Sequence, residues 1–146
     1  ATHFAPAMAE EALSIYRKHF KASKYLDEPY FILGVLAHGA DTDEEAERLY
    51  TIAQQGSIRL LREEKGLYPL ADEKFEENLN LSSAEKIFLK SRMGINLMGS
   101  KETMTKIWKE VKAKFDPDEV IAVSYMPKLE ELEKSYRILK EVVENN

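Results

Sequence analysis

The chain has 146 residues, 44% hydrophobic and 32% charged, with a formal net charge of −5. That is enough for one domain with a real core, and its charges are interspersed along the helices, which argues against a nucleic-acid or anionic-membrane surface. The absence of cysteine excludes disulfides, thiolate metal sites and a cysteine nucleophile and fits a cytoplasmic protein, no apolar run approaches the roughly 20 residues that span a bilayer, and with only three histidines, at 3, 19 and 38, no His-rich metal site is expected.

Ala1 to Pro6 leads straight into a helical pattern, as if the chain opened at the end of an element. The expectation is that an N-terminal portion is missing. Pro6 suits a first helical turn because its φ is fixed. Met8, Ala12, Ile15, Tyr16 and His19 then recur at helical spacing, which predicts an amphipathic helix over 7–20. Lys21 to Asp27 is polar and irregular.

Tyr30 to Ala37 is short, nearly all apolar and does not alternate. A strand covered on both faces reads this way, as parallel strands do. His38 to Asp41 then supplies a turn. Thr42 and Glu45 form a capping box ahead of a helix with Leu49, Ile52, Ala53, Gly56 and Leu60 on one stripe. Residues 66–81 read as a loop-like insertion whose acidic stretch, Asp72 to Glu77, is a solvated face. Ser82 and Glu85 make a second capping box, opening a helix to about Arg92. Gly94 to Gly99 reads as a connector. Lys101 to Phe115 is a helix with Met104, Ile107, Trp108, Val111 and Phe115 inward, stopped by Pro117, which disfavours helix at Asp116. Gly99-Ser100 at its start has free amides that suit an anion, but plain capping is the better reading. Glu119 to Met126 is a second strand. Pro127 opens a last helix with Leu129, Leu132, Tyr136, Leu139 and Val143 on one face.

Helix, strand, helices, strand, helix is an α/β order with parallel strands. Two strands, about 30–37 and 119–126, make a poor sheet, and no third is visible. The expectation is therefore one partial unit, 1–146, forming the C-terminal portion of a (β/α)8 TIM-type barrel, which in full takes about 250 residues. In barrels the loops after the strands carry function. That rim would hold Thr2 and His3, His38 and Asp41, and Ser124 and Tyr125. Gly-rich phosphate loops, His-Glu-x-x-His and the Gly-x-Ser-x-Gly elbow are all absent.

Thr2-His3-Phe4-Ala5-Pro6-Ala7-Met8, with Glu10 to Leu13 and Tyr16-Arg17, resembles a segment of luciferase-like flavin monooxygenases. Asp41 to Ala46 is similar to the family's segment after the seventh barrel strand. Leu97 to Met104 is similar to its Gly-Ser-Pro-Glu-Thr-Val block, with Lys101 for Pro and Met104 for Val. Glu119 to Met126, with Leu132, Tyr136 and Leu139, looks like the final strand and helix. The resemblance implies an oxidoreductase, a monooxygenase using reduced FMN and O2 on an organic substrate, with a deazaflavin as second choice. It implies that the missing half supplies most of the flavin pocket, so the chain alone would neither bind flavin tightly nor be active.

On this resemblance His3 and Phe4 are cofactor-binding rim candidates, and His38 and Tyr125 lie on the substrate side. Each has a plain alternative. His3 makes a structural hydrogen bond, Phe4 is core, His38 closes a turn, and strand parity does not decide whether Tyr125 faces the interior or the mouth. Asp41 favours the helix N-terminus. His19, Trp108 and the Met residues are packing. A fragment of this kind leaves strand edges and apolar faces uncovered and is expected to form a homo-oligomer. The competing readings are a non-catalytic helical interaction module and a flavin-free barrel relative.

Overall fold

The computed structural model describes residues 8–92 and 95–146. The described elements are α1 (Ala9–His19), β1 (Ile32–Gly39), α2 (Asp43–Leu61), α3 (Phe75–Asn78), α4 (Ser83–Arg92), β2 (Asn96–Gly99), α5 (Lys101–Phe115), β3 (Glu119–Val123) and α6 (Leu129–Glu144). They build a three-stranded, all-parallel sheet in the order β2-β1-β3.

A third strand thus replaces the expected connector at 94–99. Its register runs from Leu36 opposite Asn96 to Gly39 opposite Gly99. Four residues without a β-branched side chain give too little pattern to tell a strand from a linker. What makes them a strand is the partner edge, which Leu97 seals by burying completely. The two expected strands are also corrected at their ends. β1 begins and ends two residues late, because β2 pairs with it as far as Gly39, so His38 is a strand residue and not part of a turn. β3 stops at Val123, and Ser124 to Met126 lie beyond it. There the Ser124 hydroxyl donates to the Ala37 carbonyl at 2.5 Å.

Strand alternation sorts the core into two faces. On one, Leu33, Val35, Ala37 and Leu97 pack with Leu13 of α1, Met104, Trp108 and Phe115 of α5, and Leu139 and Val142 of α6. On the other, Leu36 packs under Tyr50 and Ala53 of α2, with Val123 and Tyr125 beside them. That second face is closed only towards its carboxyl end. Towards the amino end Ile32 and Ile121 remain 42% and 54% exposed.

Local signals fix the helix starts. The Thr42 hydroxyl accepts from the Glu45 amide at 3.2 Å, but the Glu45 carboxylate turns to Arg48 instead of closing the box. Ser82 and Glu85 do close theirs: the Glu85 amide donates to the Ser82 hydroxyl, and the Ser82 amide to the carboxylate at 2.8 Å. α5 ends on Asp116 in the left-handed region, φ 43°, and the Arg17 guanidinium donates to the Phe115 and Asp116 carbonyls at 2.9 and 2.7 Å. Those are orphan carbonyls at the negative end of a helix, so the bond joins α1 to α5 with favourable charge. Among the described residues no helix is long and apolar enough to cross a membrane.

Candidate functional site at the carboxyl ends of the strands

Three segments meet where the strands end. After β1 come Ala40 and Asp41, after β2 comes Ser100, and after β3 come Ser124 and Tyr125. Ser135 of α6, fully buried, binds them from one side. Its hydroxyl accepts from the Gly39 amide at 2.9 Å and donates to the Ala37 carbonyl at 3.4 Å. Asp41 pairs with Lys134 of α6, not with the start of α2.

Asp43 fastens the other side. Its carboxylate accepts from the Ser100 amide at 2.6 Å and from the Thr103 hydroxyl at 2.7 Å. These bonds, the Ser100 amide foremost, hold the carboxyl below its ordinary range. The Ser100 hydroxyl caps the Thr103 amide at 3.4 Å. The N-terminus of α5 is therefore filled by the chain's own carboxylate, and capping is indeed the role of Gly99-Ser100. Gly99 sits at φ +135°, and a Cβ there would lie 2.8 Å from Thr103 and 2.9 Å from Asp43.

His38 is wholly buried. Its ring meets Tyr50 edge-on with centroids 5.3 Å apart. Register places Asn96 diagonally beside it on the same face, since Leu36 pairs with Asn96 and His38 with Met98. The Asn96 side chain is the polar neighbour of both the imidazole and the Tyr50 hydroxyl, in looser geometry than an ordinary hydrogen bond. Burial pushes the imidazole down to about 4, with the nearby Asn96 amide opposing only in part. Burial also pushes the Tyr50 phenol up. The substrate-rim expectation for His38 thus meets a side chain that is sealed in. In front of Tyr50 a groove of about 600 Å³ runs between α2 and α3, lined by Tyr50, Thr51, Gln54, Glu76 and Met98 among others.

Tyr125 is half-buried and stacks on Tyr68, with centroids 5.4 Å apart and planes 15° from parallel. Burial, then Tyr125, pushes the Tyr68 phenol up to about 12. The Tyr68 hydroxyl lies against Gly56, where a Cβ would come within 2.8 Å. His3 and Phe4 lie outside the described residues. Among the described residues no group of three His, Asp or Glu side chains is arranged to hold a metal ion.

Sequence reasoning missed Tyr50, Asn96, Tyr68 and Ser135. Ser135 had a signal: it stands four residues before Leu139 on the apolar stripe of α6, where a small polar residue is out of place. Tyr68 had none, since 66–81 shows no periodicity.

A parallel α/β unit with its polar residues at the carboxyl ends of the strands shares the layout of α/β enzymes that work at that end. No protein-family model matches the chain. It is 35% identical over 141 residues to the uncharacterized protein YddN of Bacillus subtilis, covering 97% of this chain and 41% of that protein. It is 31% identical over 121 residues to a luciferase-like monooxygenase of Escherichia coli K12, covering 83% of this chain and 36% of that protein. The crystal structure of apo-MsnO8 superposes with a TM-score of 0.83 at 24% identity, covering 99% of this chain and 44% of that one. The chain belongs to the luciferase-like family. It spans about two fifths of the length of the curated relatives it matches.

Proposed function

We propose that the chain is the C-terminal part of a (β/α)8 barrel of the flavin-dependent monooxygenase type, residues 1–146 being one partial-barrel unit. The whole protein would use reduced FMN and O2 to oxidise a small organic substrate. Kinship with the monooxygenase relative carries this reading. The all-parallel strands with helices between them, and the uncovered Ile32 and Ile121, support it.

The described residues do not fit the phosphate end of FMN. The α5 N-terminus is closed by Asp43, and α6 opens on Glu130 and Glu131, which repel an anion. The flavin would therefore be held outside the described residues, with His3 and Phe4 as its rim, while Tyr125 with its partner Tyr68 lies on the substrate side. The chain alone would be inactive. Its two outer strand edges are unpaired among the described residues, so it would self-associate.

The test is quenching of FMN fluorescence by the 146-residue chain and by a form extended upstream. Binding by the extended form alone is the expected result. Tight binding by the short chain would refute the partial-site reading. Binding by neither would reduce the family tie to one of fold and favour a non-catalytic interaction module.

A further inference from the structure

Residues 67–72 are pinned along α2. Side chains one helical turn apart hold their backbone. The Arg59 guanidinium donates to the Leu67 carbonyl at 2.8 Å, the Gln55 amide donates to the Leu70 carbonyl at 2.8 Å, and the Thr51 hydroxyl accepts from the Asp72 amide at 3.0 Å. Between these bonds Pro69 is buried, and Tyr68 rests over Gly56 and stacks on Tyr125.

Yet Leu67 is 91% exposed and Leu70 72%. Leu60 is 65% exposed and lies one turn beyond Gly56, hence beside Tyr68, and Leu61 follows it at 46%. Scattered exposed leucines are ordinary, but four within residues 60–70 make a patch. The pinned backbone has no freedom to fold Leu67 and Leu70 away, so the patch is presented ready for contact.

The rim identifies the occupant. Glu63 and Lys65 flank the leucines, both exposed, and neither makes an ion pair among the described residues. A basic or an acidic partner would match only one of them. A rim with both signs free matches itself when turned about a two-fold axis. An apolar centre with a polar rim is the anatomy of a protein interface.

We propose that this patch docks a second copy of the chain in an isologous contact. Leu67 and Leu70 pack against the leucines of the other copy near the two-fold axis, and Glu63 of each copy meets Lys65 of the other. The contact uses no strand edge and no flavin, so it stands or falls apart from the barrel reading.

The chain has no cysteine, so Leu67→Cys supplies a single thiol for the test. A disulfide between copies needs the two positions close together. Under mild oxidation of the 146-residue chain, Leu67→Cys is expected to give covalent dimer at least tenfold faster than Tyr25→Cys, a control that is 80% exposed elsewhere. Equal rates would mean random collision and overturn the proposal. Leu67→Glu with Leu70→Glu should then abolish the dimer in sedimentation velocity with Tm unchanged, since both leucines are exposed. Lys65→Glu should weaken it, and adding Glu63→Lys should restore it. Association that survives the leucine variants runs through the strand edges alone and overturns the proposal while leaving the barrel reading intact. A form extended upstream that is monomeric, with the patch protected from hydrogen exchange, makes the rest of the polypeptide the occupant and overturns it too.

Discussion

The two faces of the sheet are built from the same three strands and to different rules. The face under α1, α5 and α6 is packed with apolar side chains along its length, with the Ser135 hydroxyl and the Trp108 Nε1 as polar groups buried in it. The opposite face changes character halfway. Its carboxyl half carries His38 and Asn96 beneath Tyr50, and its amino half leaves Ile32 and Ile121 in the open. The first face does mainly packing. The divided face combines a buried polar cluster with uncovered apolar side chains, and natural chains carry uncovered apolar surface mainly where a partner belongs.

The largest test of that contrast is on the packed face. Trp108→Ala removes a side chain 2% exposed and is expected to cost about 3–5 kcal/mol in urea unfolding. A value under 1 kcal/mol would mean that the face is not a tight core.

Next comes the polar half. His38 is neutral when folded, with its value near 4 instead of 6.5. Below 6.5 the unfolded chain takes up the proton that the folded chain refuses. Stability therefore falls as pH drops from 6.5 to 4, by roughly 3 kcal/mol if His38 acts alone. His38→Phe should flatten that limb of the pH profile. Glu85, held down to about 2 by Arg62 first and by Ser82, adds stability that is present above its unfolded value of 4.5 and lost as pH falls towards 2. It should survive in the His38 variant as a separate acid limb.

Smaller again is the clamp between the faces. Asp43→Ala frees the Ser100 amide and the Thr103 hydroxyl and is expected to lower the denaturant midpoint by less than Trp108→Ala does. The smallest effect on stability belongs to the open half. Ile121→Lys should change unfolding by no more than about 0.5 kcal/mol while reducing self-association in sedimentation velocity. If it unfolds the chain, that half of the face is not open.

What the sequence made legible was local. The apolar run before Gly39, the capping residues Thr42, Ser82 and Ser100, and the stripe of α5 each announce themselves within a few positions, whereas the stripe read on α6 is shifted: Leu129 and Tyr136 are exposed, and Ser135 and Val142 are buried beside Leu139. What stayed hidden depends on partners far along the chain. Asn96 to Gly99 is a strand only because β1 offers an edge. His38 belongs to β1 only because β2 extends the pairing to Gly39. Asp41 looks like a helix-start residue until Lys134 arrives from α6. Tyr125 stood out as a rim candidate from its place near a strand end. Its stacking partner Tyr68 did not, coming from a segment with no pattern.

The central place of β1 sets the order in which this molecule can be assembled. Leu36 pairs with Asn96, sixty positions later, and Ile32 pairs with Glu119, eighty-seven positions later. A ribosome therefore releases the middle strand of the sheet first, with both its edges bare, and supplies its flanks one after the other. Pairings of such long sequence separation form slowly. For that interval the most apolar stretch of the chain is an exposed template for aggregation. Newly made copies should depend on a chaperone that shields Ile32 to Gly39 until β3 has emerged.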